Sequence, residues 1–161
     1  MNKTKRKIFE TSMQLFAEKG YDATSVEEIT ATVGVAKGTL YYHFSSKEEI
    51  FKFLVEEGVK LIKNSVAIKT EKLTSSIDKI RAIVLIELKI LVKYEHFMTI
   101  ILSEIWGTSP RSKMCRDYVF EYIQMIQEIV EDGMKNGEII EADPNVIASR
   151  NIWFCLFKLN L

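Results

Sequence analysis

The sequence has few prolines, glycines, cysteines and histidines, and each shortage excludes a class of protein. Two prolines and seven glycines in 161 residues are too few for a turn-rich chain and favour helices joined by short connections. Cys115 and Cys155 cannot form a disulfide framework, so reduced thiols are expected, with a redox switch as the alternative. His43 and His96 are not spaced with the cysteines as metal ligands. We therefore expect no metal and no cofactor.

The chain also lacks a secretory signal, a membrane-spanning run and the glycine-rich or nucleophile motifs of common enzymes. Its apolar stretch IVLIELKILV is interrupted by Glu87 and Lys89. These absences predict a soluble, cytoplasmic protein that has no membrane partner and is not an enzyme.

Positive charge is in short supply as well, because the formal net charge is zero. Residues 1–47 carry seven Lys/Arg and five Asp/Glu, whereas residues 48–161 carry fifteen and seventeen. No broad positive field marks a nucleic-acid partner, so any affinity for DNA must come from the placement of a few cations.

The stretch that remains informative is TSVEEITATVGVAKGTLYYHFSSK, from Thr24 to Lys47. Val26, Ile29 and Val33 recur at helical spacing and predict a short amphipathic helix. Gly34 then allows a left-handed backbone at low cost, and a second short helix follows at once. Two short helices joined by a glycine turn predict a helix-turn-helix.

The second helix carries outward groups that suit phosphates and base edges: Lys37, Gly38, Thr39, Tyr41 and Tyr42. A cation and hydroxyls can contact phosphate oxygens or bases, and a glycine lets the backbone approach closely. Lys47 places another cation beside the DNA backbone. The competing interpretation is an amphipathic helix pair that only packs, although exposed aromatic side chains argue against it.

Here the sequence resembles a known family. GVAKGTLYYHFSSKEEIF and the preceding FAEKGYDATSVEEITATV are similar to the signature of TetR-type transcriptional regulators, over roughly residues 5 to 53. The resemblance implies a homodimer that binds an inverted-repeat operator in double-stranded DNA and releases it on binding a small apolar or amphipathic effector. It also implies DNA contacts from His43, phosphate contacts from Thr24 and Ser25, and a phosphate clamp at Lys47.

Two positions depart from the family pattern. Thr30 stands where a small alanine is common, which should alter the packing between the two helices. Glu27 lies in the first turn of the first helix, where it would repel phosphates, and its presence puts a base contact from that position in doubt. Locally, Glu27 suits a helix N-terminus, and we expect Thr24 and Glu27 to form a capping box.

The helical pattern predicts an all-α protein with a three-helix DNA-binding domain over 1–46 and a helical effector-binding and dimerisation domain over 47–161. Serine and proline start signals predict helices opening near Ser46, Ser75, Pro110 and Pro144. The last helix, NIWFCLFKLNL, ends without a cap. We expect a final helix to be missing from this chain, with an unusually short relative as the alternative.

The larger domain is rich in aromatic side chains, and a subset is expected to line a ligand cavity together with one carboxylate: Phe97, Glu104, Trp106, Tyr122 and Trp153. Aromatic residues at helical spacing more often form only the core. A DNA-binding protein without an effector is the alternative function. Dimerisation is expected through apolar residues near the end of the chain: Ile152, Trp153, Leu156, Phe157 and Leu159.

Overall fold

Eight helices make up the part of the chain that the computed structural model describes, residues 2–157, with side chains over residues 2–150. They are α1 Lys3–Lys19, α2 Val26–Val33, α3 Lys37–His43, α4 Lys47–Thr70, α5 Ser76–Lys93, α6 Glu95–Ile105, α7 Pro110–Lys135 and α8 Pro144–Phe157. The predicted all-α class is confirmed, and the helices open and close within a few residues of the predicted signals.

Short polar side chains open several of these helices by accepting hydrogen bonds from the first free backbone N–H groups. Ser25 caps α2, since its Oγ accepts from the N–H of Glu28 at 3.0 Å. The expected capping box of Thr24 and Glu27 is therefore wrong by one residue. At the start of α4 the predicted cap is present, because the Oγ of Ser46 accepts from the N–H of Glu49 at 3.1 Å.

The turn between α2 and α3 depends on Gly34, which adopts a left-handed conformation at φ 79° and ψ 40°. Its N–H donates to the carbonyl of Thr30 at 2.9 Å, and the N–H of Val35 donates to the same carbonyl at 3.1 Å. A glycine that ends a helix in this conformation satisfies carbonyls that would otherwise lack partners. The predicted helix-turn-helix is confirmed.

Residues 1–58 and 96–112 form one compact unit, called unit 1. Its core is built from fully buried side chains on consecutive helices, including Ile29 of α2, Leu40 of α3 and Phe51 of α4. The rings of Phe16 and Tyr21 lie 5.2 Å apart between centroids, and Tyr21 lies at the same distance from Phe51. This aromatic cluster holds the turn between α1 and α2 against α4.

Helix α6 belongs to unit 1 together with the helix-turn-helix. At its contact with α4, Gly58 leaves room for the ring of Phe97, and a Cβ added to Gly58 would lie 2.2 Å from Cε2 of that ring. Such a distance is far below van der Waals contact. The small residue in α4 therefore sets how closely α6 can approach.

Residues 59–95 and 113–161 form a second compact unit, called unit 2. Buried side chains of α5 and α7, among them Ile83, Ile126 and Val130, form its core. Helices α4 and α7 each contribute residues to both units. The predicted domain boundary after residue 46 stays a prediction, although the compact units place α6 with the helix-turn-helix.

No helix within the described residues is long and apolar enough to cross a membrane. The side chains expected to form the dimer contact, from Ile152 onward, lie outside the described side chains.

Candidate nucleic-acid interface

The outward face of α3 and the N-terminal turn of α2 form an exposed surface, which we call the recognition surface. Tyr42 is 84% exposed, and Lys37 and Gly38 are also exposed, whereas Thr39 and His43 are half-buried. A Cβ added to Gly38 would meet nothing within 4 Å. Buried Leu40 fixes the opposite face of the helix, so the predicted contact residues project from a rigid support.

At the start of α2, Ser25 and Thr24 have different surroundings. Ser25 is exposed, and a hydroxyl that accepts from a backbone N–H can still donate to a phosphate oxygen. Thr24 is fully buried, and its hydroxyl donates to the carbonyl of Gly20 at 2.9 Å. The N–H of Thr24 donates to the carbonyl of Tyr21 at 3.3 Å. Both donors of Thr24 are thus used inside the turn, so its predicted phosphate contact stays a prediction that this placement does not support.

Lys47 connects the start of α4 to the turn between α1 and α2. Its Nζ donates to the carbonyls of Tyr21 and Thr24, each at 2.9 Å, and lies 4.2 Å from the centroid of the Tyr21 ring. An ammonium group has three N–H donors, so one remains for a phosphate oxygen. Lys47 therefore orders the turn, in addition to its predicted role as a phosphate clamp.

An ion pair joins the first turns of α2 and α3, because Nζ of Lys37 lies 2.5 Å from Oε1 of Glu27. The hydrogen bond from Lys37 holds the pKa of Glu27 below its usual value, and the same bond raises the pKa of Lys37. Lys37 also lies 5.9 Å from the centroid of the Tyr41 ring. The neighbouring acid, Glu28, pairs instead with Lys19 of α1.

Sequence reasoning missed a second group of contacts, which we call the arginine contact. Cζ of Arg111, at the start of α7, lies 3.8 Å from the centroid of the Tyr21 ring. Its Nη2 donates to both carboxylate oxygens of Asp22, at 3.2 and 3.3 Å, and its Nε lies 3.5 Å from the carboxylate of Glu104. Burial raises the pKa of the Tyr21 hydroxyl, and the nearby Glu48 carboxylate adds to the effect. No sequence motif marks this contact.

Three of the side chains predicted to bind ligand belong to unit 1. Glu104 accepts from the Oγ of Ser112 at 3.0 Å and thereby ties the end of α6 to the start of α7. Phe97 is buried against Gly58, and Trp106 is 76% exposed. In unit 1 Phe97 serves packing and Glu104 serves the α6–α7 corner. The predicted ligand contacts of all three side chains stay predictions.

In unit 2 the predicted residue Tyr122 donates its hydroxyl to Oε1 of Glu87 at 3.1 Å. Glu87 is only 8% exposed and Tyr122 is half-buried, so α5 and α7 share a partly buried polar pair. The predicted Trp153 lies outside the described side chains. Within the described residues no group of three or more His, Cys, Asp or Glu side chains could hold a metal ion.

Comparison with known proteins finds a family model that matches the part of the chain carrying the recognition surface. The model of the bacterial regulatory proteins of the tetR family matches residues 8–54, which include α2 and α3. The biofilm operon negative transcriptional regulator IcaR of Staphylococcus epidermidis is 46% identical over 52 residues. That match covers 32% of this chain, and the chain spans only 28% of the length of this curated relative. The family consists of regulators and not enzymes, as the sequence predicted.

Solved structures extend the likeness over nearly the whole chain. A Clostridium perfringens protein provisionally named as a fatty acid metabolism regulator shares 30% identity with a TM-score of 0.87, covering 96% of this chain and 86% of its own. AibR, solved with isovaleryl coenzyme A and operator DNA, has a TM-score of 0.85 at 23% identity, covering 99% and 87%, and this likeness shows the fold alone. From the matched helix-turn-helix and the likeness over the full length, the chain belongs to the TetR family of bacterial regulatory proteins.

Proposed function

We propose that this protein is a transcriptional regulator that binds DNA by inserting α3 into the major groove. The observation that carries the proposal is the recognition surface, where exposed Lys37 and Tyr42 project from a helix anchored by buried Leu40. An α-helix fits the major groove, where each base pair presents a distinct pattern of donors and acceptors.

The predicted contacts fall into two kinds under this proposal. Lys37, Gly38 and Thr39, at the N-terminal end of α3, approach base edges, as recognition helices do with their first residues. Tyr42, Ser25 and Lys47 contact phosphates and set the position of the helix. Phosphate contacts affect binding to all sequences, whereas base contacts affect only the preferred ones.

We further infer that the protein acts in the cytoplasm as a homodimeric repressor on an inverted-repeat operator. Two-fold symmetry would present two α3 helices about 34–36 Å apart, the distance between successive major grooves on one face of DNA. The relative IcaR is named a negative regulator, which supports repression. Sedimentation of the full chain at micromolar concentration tests the dimer, and a monomer that binds an inverted repeat tightly would refute it.

We infer that an amphipathic effector binding in unit 2 weakens operator binding. The partly buried pair of Glu87 and Tyr122 offers a polar anchor near apolar side chains, as small-molecule sites do. The provisional name of the C. perfringens relative makes fatty acyl compounds the first class to test. The effect can reach unit 1 through α4, which contributes residues to both units, and through α7, which carries Arg111 in its first turn.

The proposed effector is tested by its reciprocal coupling to DNA. An effector that weakens operator binding by some factor must itself bind more weakly by that factor when operator is saturating. Such couplings are typically about 5- to 150-fold. A compound whose affinity is unchanged by operator is not an effector, and a library without any effector would support the alternative of a regulator without one.

DNA binding itself is tested by selecting bound sequences from a random duplex library with the full chain, followed by mobility-shift titrations. Tyr42→Phe removes one phosphate contact and should weaken binding about 3- to 10-fold on all sequences, as one hydrogen bond of ~1 kcal/mol predicts. Tyr94→Phe in unit 2 is the matched control and should bind as the wild type does. A wild-type protein that enriches no sequence would overturn the proposed function.

A further inference from the structure

Glu27 is an acid on the recognition surface that the proposed function leaves unexplained. Its carboxylate is exposed and pairs with Nζ of Lys37 across the turn, on the surface that would face the phosphates of DNA. An acid there opposes the electrostatic attraction on which non-specific DNA binding depends. Residues 1–47 carry only seven Lys/Arg against five Asp/Glu, so each acid on this surface removes a large share of the excess positive charge.

Glu27 is also distinguishable from a simple helix-start acid. Two acids, Glu27 and Glu28, lie in the first turn of α2, and both benefit from the positive end of the helix dipole. Glu28 pairs with Lys19 of α1, whereas Glu27 reaches across to the first residue of α3. The helix dipole explains both acids, but it does not explain why one of them neutralises a cation of the recognition helix.

The paired charges match the major-groove edge of one kind of base pair. Guanine presents the acceptors O6 and N7, which lysine recognises, and cytosine presents an amino donor, which glutamate accepts. A phosphate satisfies Lys37 alone and repels Glu27. A G·C pair, or neighbouring G and C bases, can satisfy the ammonium and the carboxylate together.

We propose that Glu27 and Lys37 act as one reading element that selects a G·C base pair in each half-site and disfavours binding through phosphates alone. The proposal rests on the proposed function and adds Glu27 as a specificity-determining residue. Lys37 contacts Glu27 and the ring of Tyr41, so its ammonium group is less free to bind phosphates at random positions. Specificity then comes partly from lowering the affinity for wrong sequences.

The experiment compares Glu27→Gln, Lys37→Ala and the matched control Glu28→Gln in the full chain. Each is measured by library selection and by titration of non-specific DNA at several salt concentrations. Glu27→Gln should raise non-specific affinity about 3- to 10-fold near 0.15 M salt and steepen the slope of log K against log salt by up to about one. At one position per half-site its G·C preference should vanish or turn towards A, the base that glutamine recognises.

Lys37→Ala should lose the G·C preference at the same base pair or its neighbour, and Glu28→Gln should leave the sequence profile and the non-specific affinity unchanged. Glu27→Ala provides a second variant should Glu27→Gln fold poorly, as judged by thermal melting. Identical profiles for wild type and Glu27→Gln would overturn the inference. So would an equal gain in non-specific affinity for Glu28→Gln, because charge alone would then explain it. A wild type that selects no sequence refutes the proposed function instead.

Discussion

Unit 1 uses the same residue types in two places with opposite consequences. On the recognition surface Tyr42 is 84% exposed, whereas in the arginine contact Tyr21 is 6% exposed and lies under the guanidinium of Arg111. The space beside Gly38 is empty, whereas the space beside Gly58 is occupied by the ring of Phe97. Residue type alone therefore does not assign a role. The neighbouring atoms that each side chain contacts decide it.

The ion pairs of the two places differ in the same way. The side chains of Lys37 and Glu27 are both exposed, and such pairs contribute little to stability, so both groups can contact DNA at little cost to the fold. Arg111 is only 22% exposed in its side chain and combines two carboxylates with the ring of Tyr21. The recognition surface is suited to changing partners, and the arginine contact is suited to holding the turn before α2 in place.

The largest expected difference between the two places comes from truncating each tyrosine. Tyr21→Ala should lower the free energy of unfolding by about 3–5 kcal/mol, because a buried ring leaves a cavity. Tyr42→Ala should change it by less than about 0.5 kcal/mol, as exposed substitutions do, while weakening DNA binding. Urea denaturation at one protein concentration measures both. Equal losses of stability would contradict the difference in burial between the two tyrosines.

Substituting the two glycines should change the free energy of unfolding by smaller amounts and in opposite directions. Gly58→Ala forces a methyl group into the Phe97 ring and should destabilise the protein by ~1–3 kcal/mol, as overpacking does. Gly38→Ala should stabilise it by up to about 1 kcal/mol, because alanine is the better helix former, and it should weaken operator binding by blocking close approach. Thermal melting together with mobility shifts tests the pair. A destabilised Gly38→Ala would contradict the open space found there.

The smallest expected effect is the pH dependence of the exposed pair. The hydrogen bond from Lys37 lowers the pKa of Glu27 from 4.5 and raises that of Lys37 from 10.5. The pair thus stabilises the fold fully at pH values between 4.5 and 10.5, the ordinary pKa values of the two groups. Its contribution is lost as the pH falls through the lowered pKa of Glu27 or rises through the raised pKa of Lys37.

Comparing wild type with Glu27→Gln isolates this dependence. The difference in melting temperature between them should be constant from about pH 5 to pH 10 and should shrink below about pH 4.5. The same comparison for Glu71→Gln, an exposed acid after α4, serves as the control. A difference that grew on acidification would reverse the predicted sign.

Much of the fold could be predicted because its signals are local. Gly34 permits the left-handed backbone that the turn requires, and Pro110 and Pro144 suit the first position of a helix, so the turn and two helix starts follow from single residues. The prediction for the first residues of α2 was one residue off, because Thr24 and Ser25 are both favourable caps by type. The carbonyls of Leu15 and Gly20, which accept from the Thr24 hydroxyl, engage Thr24 in the turn and leave Ser25 as the cap.

The sequence by itself determined the helical class, the helix-turn-helix and the exposed face of α3, because each depends on residues within a few positions of one another. Only the tertiary structure decided that Glu27 holds Lys37, that Arg111 lies over Tyr21, and that Glu104 ties the α6–α7 corner. Periodicity shows that a side chain lies on a buried or exposed face. It carries no information about which side chain, 10 or 89 residues away, completes a charge pair, since that depends on how the helices pack.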